Sequence, residues 1–246
     1  MSAKKNMIFG IRTTIEAIKA GKDIEKIFIQ KGNNSSLIKE LMILANNEGV
    51  PFQYIPIEKF KGFTGKNHQG VMALLSEITY EKIENILPLI YEKGEDPFIL
   101  ILDQISDVRN FGAITRTAEC AGVHAIIIPE KGSASINSDA IKTSAGALMK
   151  IPVCRAKNLN STIDFLKESG LQIIAASEKS DFFYTDINYS TPIAIIMGSE
   201  DTGVSKSFLN IADKIIKIPI KGTIESLNVS VATGIILYEA LRQKSI

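Results

Sequence analysis

The second half of the chain contains six apolar, β-rich runs that are separated by stretches with helical spacing. The runs are PFILILD, HAIIIP, KIPVCRA, LQIIAAS, PIAIIMG and KIIKIPI. Strands that are apolar on both faces are typical of a parallel sheet covered by helices on either side. The pattern therefore predicts an α/β domain with a parallel sheet, which ends in a long helix from Ser226 to about Lys244.

The first half alternates shorter helix and strand patterns. Apolar residues recur at helical spacing in RTTIEAIKAG, which stops at Gly21, and in SSLIKELMILANNEG, where Ser35 or Ser36 is the expected N-cap. The segments EKIFIQK, PFQYIPI and GVMALLSEI have strand patterns, and KFKGFTGKNHQG is a basic, glycine-rich loop between two of them. We predict a small α/β domain over residues 1–78.

Between these patterns lies a charged segment, TYEKIENILPLIYEKGEDP, which contains two prolines. Its composition favours a linker over residues 79–96, with room for a short helix. The larger domain then covers residues 97–246.

Composition limits the class of protein. The longest apolar runs have about five residues, far below the roughly 20 that cross a bilayer. The basic N-terminus is not followed by the apolar segment of a signal peptide, so we expect none. The two cysteines and two histidines lack the spacing of a metal site. We therefore expect a cytoplasmic protein with reduced thiols, no metal and no membrane association.

Charge is divided unevenly along the chain. Residues 1–78 hold 11 basic and 7 acidic residues, a net of +4, whereas residues 79–246 hold 17 and 20, a net of −3. A basic domain is compatible with an RNA-facing surface, but solvated lysines on ordinary helices explain the charge equally well.

Polar and small residues gather after three of the predicted strands, in ILDQISDVRNFGAITRTA, IIMGSEDTGVS and IPIKGTIESLNVSVATG. Ligands in open α/β sheets bind at the carboxyl ends of strands. The glycine patterns of dinucleotide-binding and P-loop sites are absent, as is the nucleophile elbow of the hydrolases. The residue types favour a ligand held by backbone groups, together with an anion bound by Arg116.

Each of these residues also has an ordinary structural interpretation. Asn110 could be a helix N-cap, and Arg116 could pair with Glu119 on the surface. The GSEDTG segment could be a turn that places Glu200 at the start of a helix. Ser226 could cap the last helix, with Asn228 and Ser230 on its polar face. The coincidence of all three strand ends favours function.

These segments resemble, in order, the three motifs of the SpoU/TrmH family of RNA 2′-O-ribose methyltransferases, a branch of the SPOUT superfamily. The motifs are NFGAITRTAECAG, IIMGSEDTGVS and IPIKGTIESLNVSVATGIILYEALRQ. The stretch AIKTSAGALMKIPV resembles the family's middle section. IFGIRTTIEAI and NHQGV resemble the small RNA-binding domain of the RlmB-like subgroup. The resemblance covers nearly the whole chain, and no motif position departs from it.

The resemblance implies a catalytic domain whose parallel sheet contains a deep trefoil knot, an exception to the usual rule against knots. It implies that S-adenosylmethionine binds in the knot and that the enzyme is a homodimer. The family's functional side chains fall on Asn110, Arg116, Glu200, Ser226 and Asn228. Its backbone contacts to the cofactor fall on Gly198, Ile218 and Leu227.

The implied activity is 2′-O-methylation of RNA, most directly of a guanosine in large-subunit (23S) rRNA. A tRNA ribose methyltransferase and a catalytically inactive RNA-binding protein are the alternatives. We expect Arg116 to hold a phosphate and not to act as a base, because a guanidinium stays protonated. Candidate RNA contacts in the basic domain are Arg12, Lys61, Lys66 and Asn67.

Overall fold

The protein forms two compact units in a computed structural model, which describes residues 6–63 and 65–244. The N-terminal unit runs to Thr79 and includes Ile136–Ser138, and the C-terminal unit contains the remaining residues from Tyr80 onward.

The N-terminal unit is a mixed four-stranded sheet covered by two helices. Its elements are β1 (Met7–Phe9), α1 (Ile11–Lys19), β2 (Ile24–Gln30), α2 (Ser36–Asn47), β3 (Phe52–Ile55) and β4 (Val71–Leu75). The strand order is β1-β4-β2-β3, with β4 antiparallel to both neighbours and β3 parallel to β2. Ser35 caps α2 through its hydroxyl, which accepts a hydrogen bond from the Ile38 amide. Strand β1 was not predicted, because three residues are too few to display an alternating pattern.

The C-terminal unit is built on a seven-stranded sheet in which every neighbouring pair is parallel. The elements are β5 (Tyr80–Glu81), α3 (Ile83–Glu92), β6 (Phe98–Leu102), α4 (Val108–Cys120), β7 (Ala125–Pro129), α5 (Ser138–Thr143), β8 (Val153–Ala156), α6 (Leu159–Glu168), β9 (Gln172–Ala176), β10 (Ile193–Met197), α7 (Lys206–Ile211), β11 (Lys214–Ile216) and α8 (Val229–Lys244). The strand order is β11-β9-β10-β6-β7-β8-β5. The predicted α/β class with a parallel sheet is confirmed, and the trefoil knot stays a prediction.

Most of the segment that composition assigned to a linker forms β5 and α3. Ile83, Leu87 and Ile90 are buried in the main core of the C-terminal unit. Their spacing of four and three residues places them on one face of α3. Charge and proline content hid this stripe, since Pro88 lies inside the helix.

The strand order reverses between β6 and β10, which is where an open parallel sheet is expected to have a crevice. From β6 the chain continues to β7 and β8 on one side, whereas β10 is followed by β11 on the other side of the sheet. Ligands in open parallel sheets bind where the strand order reverses in this way, at the carboxyl ends of the strands. The central strands are fully buried, so this edge is held by a rigid framework.

Within residues 6–63 and 65–244, no helix has the length and apolar character needed to cross a membrane. The same residues contain no group of three or more His, Cys, Asp or Glu side chains that could hold a metal ion.

Candidate active site

Three segments meet at the crevice: the start of α4 after β6, the loop after β10 and the start of α8. We call residues 198–205 the β10 loop and residues 217–227 the β11 loop. Asn110, Glu200 and Asn228, one from each segment, are joined by hydrogen bonds.

The start of α4 is capped by Asp107, not by Asn110. The Asp107 carboxylate accepts hydrogen bonds from the amides of Arg109 and Asn110, both at 2.8 Å. This overturns the interpretation of Asn110 as the cap, and it leaves the Asn110 side chain available for other contacts. A Cβ added at Gly112 would lie 2.7 Å from the Thr143 Cβ, so only glycine allows α4 to pack this closely.

The β10 loop is tightly closed on itself. The Gly203 amide donates to the Ser199 carbonyl at 2.9 Å, and the Ser199 and Thr202 hydroxyls lie 2.8 Å apart. The buried Asp103 carboxylate, directly after β6, accepts the Ser205 amide at 2.8 Å. A Cβ on Gly198 would overlap the backbone of Gly203. The loop therefore holds Glu200 on a backbone that is fixed at both ends.

Asn228 caps α8 and links the three segments. Its side-chain oxygen accepts from the amide of Ser230 at 3.0 Å and from the Ser230 hydroxyl at 2.5 Å. Its side-chain nitrogen donates to Asn110 Oδ1 at 3.1 Å and to Glu200 Oε1 at 2.5 Å. A carboxylate can only accept, so Glu200 fixes which end of the amide faces it. Asn228, and not Ser226, is thus the cap of the last helix.

This network leaves defined groups open to a ligand. The side-chain nitrogen of Asn110 and the second carboxylate oxygen of Glu200 form no hydrogen bond with the described residues. The site can therefore donate through Asn110 and accept through Glu200, as recognition of a hydroxyl requires.

Arg116 and Ser226 are not part of the network. Arg116 is exposed, and within residues 6–63 and 65–244 its guanidinium forms no hydrogen bond or ion pair. It lies six residues beyond Asn110, about 9 Å along the axis of α4. Glu119, the alternative partner, pairs with Lys150 at 3.5 Å. Ser226 is also exposed and makes no hydrogen bond in the described chain.

The three predicted cofactor contacts have backbone groups that are free. Gly198 is buried, Ile218 is half-buried and Leu227 is 38% exposed. Across the described part of the chain, none of the three takes part in a hydrogen bond. A buried backbone group without a partner is rare, so free groups on Gly198 fit a site that a polar ligand completes.

The four candidate RNA contacts lie on the surface of the N-terminal unit. Arg12, Lys61, Lys66 and Asn67 are all exposed. A Cβ added at Gly10 would lie 3.2 Å from the Asn67 carbonyl oxygen, so the glycine-rich loop approaches the start of α1. The loop is supported by the Phe9 and Phe63 rings, whose centroids are 5.3 Å apart.

Sequence reasoning did not assign Asp103 and Asp107 to the site, and it gave Ser230 only a place on the polar face of the last helix. All three hold the site's backbone or side chains in place. An aspartate directly after an apolar strand, and another just before a helix, were usable signals. The thiol of Cys154 offers no nucleophile, because burial raises its pKa to about 12.

Two family models match the chain. One, described as the SpoU rRNA Methylase family, matches residues 97–238, and one described as RNA 2′-O ribose methyltransferase substrate binding matches residues 7–81. The chain is 33% identical over 247 residues to a Bacillus subtilis (strain 168) protein assigned to the TrmH family of tRNA/rRNA methyltransferases. That alignment covers 100% of this chain and 98% of the relative.

Solved structures agree with these matches. An AdoMet-bound rRNA methyltransferase from Sinorhizobium meliloti is 26% identical, with a TM-score of 0.62 over 96% of this chain and 86% of that chain. A TrmH/SpoU tRNA modifying enzyme from A. aeolicus is 35% identical, with a TM-score of 0.55 over 61% of this chain and 76% of that chain. The prediction from the three strand-end motifs is therefore confirmed: the chain belongs to the SpoU rRNA methylase family.

Proposed function

We propose that this methyltransferase modifies the ribose 2′-oxygen of a guanosine in large-subunit rRNA, with S-adenosylmethionine as the methyl donor. The observation that carries the proposal is the hydrogen-bonded set of Asn110, Glu200 and Asn228 at the crevice between β6 and β10. The choice of guanosine comes from the resemblance to the RlmB-like subgroup.

S-adenosylmethionine supplies an electrophilic methyl group on sulfur. The AdoMet bound by the Sinorhizobium meliloti neighbour supports this cofactor. Here the backbone groups of Gly198, Ile218 and Leu227 would hold it, because they are free of other partners in the described chain.

The chain's own residues would orient and activate the ribose. Orientation of two reactants can supply roughly 7–11 kcal/mol of the barrier. Asn110 and Glu200 would hold the 2′-hydroxyl through the donor and acceptor that their network leaves open. Arg116 would grip an RNA phosphate through both of its terminal nitrogens and stabilise the developing alkoxide. The proton would pass to the phosphate or to water.

The share of this chain that aligns with each solved structure favours rRNA over tRNA as the substrate. The rRNA methyltransferase from Sinorhizobium meliloti aligns with almost the whole chain, whereas the A. aeolicus tRNA enzyme aligns with 61% of it. A substrate-binding model also matches residues 7–81. We propose that Arg12, Lys61, Lys66 and Asn67 contact the RNA, since their side chains are exposed on one unit.

We propose further that the enzyme is a cytoplasmic homodimer that uses α8 in its interface. Val231 and Tyr238, seven residues apart on α8, are 52% and 51% exposed. Residues at this spacing lie on one face of a helix, so they form an apolar stripe that a second copy can cover.

The decisive experiment compares RNA from wild-type and deletion strains. Ribose methylation should disappear from one guanosine of large-subunit rRNA in the deletion strain. The purified protein with AdoMet should restore it on that rRNA in vitro, and a tRNA fraction should stay unlabelled. Methylation of tRNA alone would replace the rRNA assignment. Labelling of neither RNA by a protein that binds AdoMet would contradict the proposed function.

A further inference from the structure

Two adjacent phenylalanines lie exposed on the surface of the C-terminal unit. Phe182 and Phe183, between β9 and β10, are 53% and 41% exposed. Scattered apolar residues on a surface are ordinary, but two consecutive exposed phenylalanines are a candidate contact surface. We call them the Phe pair.

Hydrogen bonds hold the backbone of the Phe pair in place. The Lys217 amide donates to the Phe182 carbonyl, and the Tyr184 amide donates to the Lys217 carbonyl, both at 2.9 Å. On one side, the Ser180 hydroxyl lies 3.0 Å from the Phe182 amide. On the other side, the Asp186 carboxylate accepts the Phe183 amide at 2.8 Å. The rings therefore stay exposed on a fixed frame and are not the ends of a loose loop.

Positive charge accompanies both rings. The Lys214 ammonium lies 5.9 Å from the centroid of the Phe182 ring, and the Lys217 ammonium lies 5.4 Å from that of Phe183. Within the described residues neither lysine forms an ion pair. Each ring is thus paired with a cation that can also reach an anion beside the ring.

The Phe pair sits beside one of the segments that build the active site. Phe183 is bridged to Lys217, which directly precedes the predicted cofactor contact Ile218. Lys214 begins β11, the strand at one edge of the parallel sheet. The surface is therefore continuous with the start of the β11 loop.

We propose that the Phe pair, with Lys214 and Lys217, stacks unpaired bases of the RNA substrate that flank the methylated nucleotide. This inference rests on the proposed RNA methyltransferase function. Aromatic rings stack on any base, while lysines neutralise the adjacent phosphates. A second copy of the chain is a poorer occupant, because lysine is depleted at the centres of protein interfaces.

The test is a binding titration of the full-length protein with a single-stranded RNA of about 12 nucleotides. This length is within the range of site sizes of proteins that bind single strands. The RNA carries 2-aminopurine, whose fluorescence falls when the base stacks. The double variant F182L/F183L keeps apolar side chains but loses both aromatic faces. It should bind about 100-fold more weakly, or about tenfold per ring, without quenching.

Matched variants separate stacking from other causes. F182Y/F183Y keeps the rings and should bind within a few-fold of the wild type. K214Q/K217Q should lower the slope of log Kd against log salt by about 1.4, since each phosphate contact contributes about 0.7 on single strands. AdoMet affinity of the two phenylalanine double variants, measured by calorimetry, should match the wild type and verify folding. Circular dichroism verifies the folding of K214Q/K217Q.

Each other outcome overturns the inference. If F182L/F183L binds the RNA within twofold of the wild type while wild-type methyl transfer proceeds, only the stacking surface is rejected. If leucine is tolerated, but F182A/F183A dissociates a dimer in sedimentation, the surface is an interface between copies. If the wild type neither binds the RNA nor methylates rRNA, the proposed function fails together with this inference.

Discussion

The β10 loop and the β11 loop leave the same edge of the parallel sheet, yet their internal structure differs. The β10 loop is closed by the Gly203 to Ser199 hydrogen bond, by Asp103 and by the close approach to Gly198. In the β11 loop, residues 219–227 are all exposed, and none of them forms a hydrogen bond with the described chain.

The difference indicates that contacts within the chain hold the β10 loop in place, whereas most of the β11 loop is not held by such contacts. Ordering a residue's backbone costs about 1–2 kcal/mol, which internal hydrogen bonds offset in the β10 loop. Residues 219–227 of the β11 loop form no such hydrogen bonds with the described chain. Binding commonly orders segments of low local stability, so we expect the cofactor and the RNA to order the β11 loop.

The largest expected effect concerns Arg116, whose guanidinium forms no hydrogen bond or ion pair with the described residues. If its partner is an RNA phosphate, Arg116→Lys keeps the charge but loses the planar pair of donors. Activity should then fall nearly as far as in Arg116→Ala, on the order of 10²–10³-fold in kcat.

The measurement for Arg116 is single-turnover methyl transfer with saturating RNA and AdoMet. AdoMet affinity serves as the control and should not change. A lysine variant within a few-fold of the wild type would reject the two-donor grip. A loss of AdoMet affinity would instead assign Arg116 to the cofactor site.

The stability of two glycine variants, one in each loop, tests the difference between the β10 loop and the β11 loop. In Gly198→Ala the new Cβ overlaps the Gly203 and Val204 backbone, and we expect a loss of about 1–3 kcal/mol in the free energy of unfolding. Gly222→Ala, in the β11 loop, has no atom within 4 Å of the new Cβ and should change little. Chemical denaturation measures both, and equal losses would remove the distinction.

Hydrogen exchange tests the same contrast without a substitution. Amides of residues 220–227 should exchange at nearly unprotected rates in the free protein, and those of residues 202–205 more slowly. AdoMet at ten times its Kd should slow the first set about tenfold, because binding to an ordered state opposes opening. Protection of the β11 loop in the free protein would show that it is already ordered.

The smallest expected effect concerns Ser230, whose hydroxyl fixes the Asn228 amide and so joins the two loops. Ser230→Ala removes one hydrogen bond worth about 1 kcal/mol, and kcat should fall about fivefold while AdoMet affinity holds. Ser230→Thr restores the hydroxyl and should recover the rate. Failure of threonine to do so would assign the loss to packing of α8.

Local pattern determined the fold class and the position of the motifs. Six apolar runs indicated the strands β6 to β11, because a strand buried on both faces is apolar at consecutive positions. The edge strand β11 is less buried, since Lys214 is exposed. The serine cap and glycine stop placed the ends of α2 for the same reason. Buried apolar residues in α3 escaped detection, since prolines and charges dominate the local composition of its segment.

Only the tertiary structure determined which residues of the candidate site form hydrogen bonds with one another. Asn228 bonds to residues 118 and 28 positions away, and those pairings depend on the strand order around β6 and β10. From the local sequence, Asn110 and Ser226 were possible N-caps of α4 and α8. In the structure, Asp107 caps α4 and Asn228 caps α8. The need for glycine at position 198 arises from a backbone that returns five residues later. A sequence pattern records which groups can bond, whereas the packing of distant strands determines which of them meet.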